Sequence, residues 1–177
     1  MRDDLIIRRE RAEDHASIAA VIDDAFPRVE GAARSVESGL VDELRGDGDV
    51  IDELSFVAEL DGEIVGQVTC SRATLGEAPS VGLGPIAVRS DLQQQGIGAA
   101  LMASVIASAD QRGDAEIVLL GDPEYYGHFG FVPASGLGIE SPGPWEDRYF
   151  QVKTLRAWRP ERAGAFRYAP AFERLED

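Results

Sequence analysis

The residues best placed to do chemistry lie in "QQQGIGAALM", Gln93 to Met102. An apolar run ending at Val88 precedes them, and an amphipathic helical pattern begins near Gly96. A strand, a polar loop and a helix in that order aim several backbone N–H groups at one point ahead of the helix. The first turn of a helix leaves about four N–H donors without intrahelical partners, and the macrodipole adds roughly half a positive charge there. Gly96 and Gly98 carry no Cβ to hold a phosphate off the backbone. The pattern describes an anion site that requires no fixed positive side chain.

Several readings compete for such a loop. A Walker A loop needs Lys followed by Ser or Thr after its last glycine, and neither is present. A dinucleotide fingerprint needs its first glycine almost directly after the strand, whereas seven residues separate Val88 from Gly96 and the third glycine position holds Leu101. What remains is the pyrophosphate of coenzyme A, with a plain tight turn as the alternative that needs no ligand.

Other reactive side chains are few. The single cysteine, Cys70, cannot form an internal disulfide, and beside Val65 and Val68 it reads as a small buried hydrophobe. His15 and His128, the two histidines, have no metal-site spacing, so no metal is expected. His128, between aromatic residues, reads as a surface or supporting side chain. The formal charge of −15 opposes nucleic acid phosphates and anionic lipid. No run approaches about 20 apolar residues, and the N-terminus "MRDDLIIRRERAED" is charged where a signal peptide is apolar. A cytoplasmic protein without nucleic acid or membrane partners is expected.

The elements that must position the loop are legible from period and punctuation. At 177 residues with 44% hydrophobic content, one domain with its own core is the default. "LIIRRE", Leu5 to Glu10, reads as a strand. Ile18, Val21, Ile22 and Phe26 fall at helical spacing before Pro27, and a second helix is expected over Val36 to Leu44, closed by "RGDGD". Alternating runs, Leu54 to Leu60 and Ile64 to Arg72, flank Asp61 and Gly62, a strong type I′ hairpin signal. "SVGLGPIAV" reads as a strand, but Gly82, Gly84 and Pro85 suggest a bulge or an open edge. A helix from Gly96 to Gly113 follows, then a strand from Glu116, a turn or short helix at "DPEYYGHFGF", a connector from Pro133 to Pro144, and a last strand "YFQVKTLRAW". In the tail from Arg159, Phe166, Tyr168 and Phe172 could pin it to the body. The order is α+β rather than a regular alternation.

Two of these segments together resemble the GNAT family of N-acetyltransferases. Its acyl-CoA loop, Gln/Arg-x-x-Gly-x-Gly/Ala, is matched by Gln93, Gln94, Gln95, Gly96, Ile97 and Gly98; "IAV" matches its fourth strand, and "YYGHFGF" its Phe-Tyr-x-x-x-Gly-Phe segment. "LGPIAV" and "LGDPEYYGHFGF" look like the YhbS-like branch. The likeness runs over about residues 5 to 158. It implies a GNAT-like mixed, mostly antiparallel central sheet with a splayed strand pair, flanked by helices, as a domain over 1–158 with a tail at 159–177 packed on or extending from it.

The resemblance also implies roles. Acetyl-CoA, or another acyl-CoA, would be co-substrate for direct acyl transfer to a small-molecule or protein amine acceptor by a monomer or homodimer. Its pantetheine arm would pair with the main chain of Ile86 and Val88, an N–H near Ile86 or Ala87 would face the thioester oxygen, and the pyrophosphate would take N–H groups from about Gln94 to Ala99. Tyr126 would protonate the leaving thiolate, and Tyr125 would fall beside the coenzyme. Asp122 stands where many relatives have an asparagine that contacts pantetheine; a carboxylate cannot donate that bond. Val81 to Val88 holds no general base, leaving Glu124, Asp23, Asp24 and Glu30 as candidates. A lone tyrosine is otherwise a packing residue. A catalytically silent acyl-CoA-binding module is the alternative from another class.

Overall fold

A computed structural model describes residues 3–175. Its centre is a sheet whose main path runs β1 (Leu5–Arg9), β2 (Phe56–Leu60), β3 (Glu63–Leu75), β4 (Ala78–Val88), β5 (Glu116–Leu120), β8 (Phe150–Thr154) and β6 (Val132–Pro133). Every pairing on that path is antiparallel except β4 with β5. The mostly antiparallel mixed sheet is the architecture expected from the sequence.

Turn chemistry accounts for the register. Asp61 and Gly62 both take positive φ, 51° and 80°, as a type I′ turn demands. Beyond the expected ends at Arg72 and Ser80, β3 and β4 run on to a second hairpin at Gly76, whose φ is +59°. The last pairs of that hairpin are stabilised from outside it, because β9 (Gly164–Arg167) adds to β3 at Thr74 and Leu75. The run from Tyr149 to Trp158 is thus not the last strand. It stops at Thr154, and the segment after Arg159 contributes β9, which also pairs in parallel with β7 (Ile139–Glu140) inside the stretch expected to be a connector.

Strand alternation assigns the two faces. Phe56 and Ala58 join the core under α3 (Ile97–Arg112), while Val57 between them packs with α1 (His15–Ala25). Helix α2 (Val36–Asp47) runs one turn past Leu44 to Gly48, a left-handed C-cap, and starts at Ser35, whose hydroxyl accepts from the Ser38 N–H. On the far side α2 meets α5 (Pro170–Glu173) through Leu40, Leu44, Ala169 and Ala171. The first turn of α3 sits directly on β3, since a Cβ at Gly66 would stand 3.1 Å from Ile97 and 3.2 Å from Leu101. The sheet thereby fixes where that helix begins.

A buried ion pair ties the C-terminal segment to the sheet. The Glu116 side chain is fully buried in β5 and accepts from Arg162 at 2.7 and 2.8 Å and from the Ser80 hydroxyl at 2.6 Å. Removing the cation strands a charge in a medium that solvates it poorly. Arg162→Met should therefore cost about 3–5 kcal/mol in urea unfolding, and adding Glu116→Leu should recover most of that loss.

Candidate active site

The site starts with a misfit in β4. Between the pairs Cys70–Leu83 and Val68–Ile86, β3 supplies only Thr69 while β4 supplies both Gly84 and Pro85. Two residues against one is a bulge, the irregularity that the glycine and proline content foretold. Gly84 takes φ +139°, open to glycine, and the Gly84–Pro85 bond is cis. Behind it, the buried Gln67 amide donates to the Pro85 carbonyl at 3.1 Å, and its own oxygen accepts from the Thr69 hydroxyl at 3.0 Å. On the other edge, β4 and β5 pair only at Gly82 and Val118. Past that point the strands part.

Across the gap, the loop after β4 is pinned by side chains. The Ser90 N–H donates to Asp24 at 2.7 Å, Arg89 binds Asp91 and Glu63, and the Gln93 amide donates to the Val88 carbonyl at 3.0 Å. Gln94 and Gly96 are both left-handed, with φ 62° and 88°, so the chain coils tightly before α3. The first helical bond runs from the Ala100 N–H to the Gly96 carbonyl, which leaves the amides of Ile97, Gly98 and Ala99 ahead of it facing the loop. The Tyr125 hydroxyl lies so close over Gly98 that a Cβ there would be 2.7 Å away.

Both tyrosines belong to α4 (Pro123–Tyr126), whose N-cap is Asp122: its carboxylate accepts from the Glu124 N–H at 2.9 Å. The Tyr126 ring presses on Gly121, leaving no room for a Cβ there, and edges Phe131 at 6.0 Å between centroids. Burial chiefly, with Tyr125 and Asp122 adding to it, pushes the Tyr126 phenol up to about 12. Burial also raises Tyr125. Both rings stay protonated, and neutral, across the physiological range.

Two cavities meet at this point. One, of about 380 Å³, lies between β4 and the start of α3; it is lined by Ile86, Ala87, Val88, Gln93, Gln94, Gly96, Ile97, Gly98, Ala99, Tyr125 and Tyr126, together with Leu92. Gln95, exposed on the same loop, is not among its lining residues. The other, of about 700 Å³, opens on the far side of the bulge between Gly84, Pro85 and Gly121, Asp122. Ile86, Tyr125 and Tyr126 line both. The two cavities thus share a wall at these three residues.

The acidic candidates fall elsewhere. Asp23 is spent on the Ser35 N–H and hydroxyl, Asp24 on Ser90, and neither they nor Glu30 and Glu124 line the larger cavity. Its carboxylates are Glu37, Asp122 and Glu173, of which Glu37 and Glu173 carry no signal in the sequence. His128 is exposed, with Nδ1 3.3 Å from the Tyr125 carbonyl. Among the described residues no group of three or more His, Cys, Asp or Glu is arranged to hold a metal ion, and no helix is long and apolar enough to cross a membrane.

The strand pair that parts beside the start of α3 lies in a segment with known relatives. Residues 15–131 match the model of the acetyltransferase (GNAT) family. The chain belongs to that family. It is 32% identical over 154 residues to the N-acetyltransferase YhbS of Escherichia coli, covering 85% of this chain and 87% of that one. A crystal structure of E. coli YhbS in complex with CoA superposes with a TM-score of 0.86 at 29% identity, over 96% of this chain and 92% of the other. A GNAT acetyltransferase from Brucella melitensis in complex with acetyl-CoA gives 0.76 at 32% identity, over 97% and 99%. This GNAT chain is an N-acetyltransferase, and an amine is the class of acceptor on which its family acts.

Cys70 packs in the core under α3 and lines neither cavity, and burial drives its thiol well above the ordinary range. Ellman's reagent should accordingly find no reactive thiol in the native protein and one per chain in urea. Rapid native labelling would contradict this packing.

Proposed function

We propose that the protein transfers the acetyl group of acetyl-CoA directly to a primary amine, with the coenzyme in the smaller cavity and the acceptor in the larger. The observation that carries this reading is the meeting of the two cavities at Ile86, Tyr125 and Tyr126. In it, the coenzyme pyrophosphate lies on the amides from about Gln94 to Ala99, where the helix terminus compensates its charge. Ile86 and Val88 offer main-chain groups to the pantetheine arm along the edge that β5 leaves open, with an N–H at Ile86 or Ala87 facing the thioester oxygen. The YhbS and Brucella proteins were crystallised with CoA and acetyl-CoA, which supports the same placement here.

The amine nitrogen attacks the carbonyl carbon, the C–S bond breaks with its electron pair on sulfur, and one amine proton is lost as the amide forms. Full transfer from a phenol at about 12 to a thiolate of ordinary basicity, about 8.5, runs uphill. Tyr126 therefore serves as a hydrogen-bond donor to the departing sulfur, and the proton released by the acceptor nitrogen completes the thiol. No covalent enzyme intermediate is required. Asp122, committed to capping α4, lies at the wall of the acceptor side rather than on pantetheine. Residues 1–158 carry the coenzyme and the chemistry, and the segment beyond adds part of the acceptor wall.

Tyr126→Phe should lower kcat by about 10²-fold or more in a thiol-release assay while CoA affinity by calorimetry is unchanged. Gly98→Val, which drives a side chain into the Tyr125 hydroxyl, should do the reverse and weaken CoA binding. Because Tyr126 is pushed up to about 12, the wild-type rate should show no fall at about pH 10, where an ordinary tyrosine ionises. Unchanged turnover in Tyr126→Phe would remove the phenol from the mechanism.

A further inference from the structure

The larger cavity has walls that acetyl transfer as such does not require. Trp145, Tyr168 and Phe172 line it, all from beyond the family-matched residues 15–131, and Phe26 joins them from the end of α1. The rings are held in series. Tyr168 and Phe172 stack at 4.4 Å between centroids, Phe166 meets Tyr168 edge-on at 4.9 Å, and Phe150 links Phe166 at 5.6 Å to Trp145 at 6.2 Å. Tyr168 is seated on Gly82, where a Cβ would lie 3.1 Å from the ring, so the stack is anchored at the one register where β4 and β5 still pair. Phe172 is its outer, half-buried end.

Charge at the rim is sparse and leans negative. Glu37, Asp122 and Glu173 stand against one cation, Arg167, and neither Glu173 nor Arg167 makes an ion pair among the described residues. An anionic acceptor meets net repulsion there. A strongly hydrated, extended polar acceptor would leave its water against the side chains of Leu40, Leu83, Pro85, Phe26 and Phe172, which return no hydrogen bonds. A flat apolar body instead continues the stack and keeps its own amine free to reach the gap at Gly84 and Pro85.

We propose, resting on the acetyltransferase reading above, that the acceptor is a small primary amine carried on an aromatic body, an arylalkylamine by chemical class, whose ring packs among Phe26, Trp145, Tyr168 and Phe172. The C-terminal segment is thus the specificity wall of the enzyme.

The test is thiol release from acetyl-CoA with phenethylamine and tryptamine set against spermidine, ethanolamine and a lysine-bearing peptide, with CoA binding followed separately by calorimetry. Wild-type protein should favour the aromatic amines by about tenfold or more in kcat/KM, the range one apolar pocket contact supplies. Phe172→Ala should lose about that factor for phenethylamine, leave ethanolamine unchanged, and keep the KM for acetyl-CoA. Preference for spermidine or the peptide, or no release with any amine while CoA still binds, overturns the acceptor assignment and leaves coenzyme binding standing. An equal loss for every amine in Phe172→Ala also overturns it. Failure of CoA itself to bind would bring down the acetyltransferase reading and this inference together.

Discussion

The molecule depends on a strand that is prevented from pairing along its whole length. A buried backbone amide without a partner costs free energy comparable to a lost hydrogen bond, so a sheet normally closes wherever two strands can meet. Here β4 takes two residues for one of β3 at Gly84 and Pro85, and its pairing with β5 is limited to Gly82 and Val118. Gln67 holds this irregularity in place: its buried side chain is satisfied at both ends, by the Pro85 carbonyl and the Thr69 hydroxyl, so the bulge is built into the sheet rather than tolerated by it. The open edge then borders the smaller cavity at Ile86, Ala87 and Val88.

The second constraint is electrostatic. A chain with net charge −15 must bind a multiply charged anion. Fixed cations near the loop do not provide the attraction, because Arg89 is held by Asp91 and Glu63. In the proposed reading the main chain provides it: amides of the first turn of α3, beside left-handed conformations at Gln94 and Gly96. Such donors cannot be titrated and cannot swing away to a competing carboxylate. Their position is set by packing, since Gly66 lets Ile97 and Leu101 lie against the sheet, and that contact decides where the helix terminus points.

How much of this was readable in the sequence follows from how local each feature is. The Asp61–Gly62 hairpin, the stop of α3 at Gly113 and the irregularity at Gly84–Pro85 depend on backbone preferences of a few adjacent residues, and all are found where the sequence puts them. The site residues from Ile86 to Ala99 form one stretch, so a strand, loop and helix suffice to gather them. The short strands β6, β7 and β9 were not legible, because two to four residues carry no period and are held by partners far along the chain. The same limit applies to Glu37 and Glu173: ordinary surface carboxylates in sequence, they share a cavity only because α2 packs on α5.

That contrast has a consequence for how the fold divides its labour. The proposed coenzyme contacts come from a contiguous segment and would survive wide change elsewhere, as long as β4 still bulges and α3 still starts at Gly96. The proposed acceptor wall, assembled from the end of α1, the start of α2, the loop at Trp145 and the residues after β9, is different in kind. Each part can change without disturbing the helix terminus or the bulge, because the aromatic series lies on the face of the sheet opposite α3. Anchoring Tyr168 on Gly82 joins the two halves at a single point, the last register before the strands part. On the proposed assignment, acceptor choice would therefore drift by substitution in the wall while the position of the thioester, set from the other face, stays where the amine must find it.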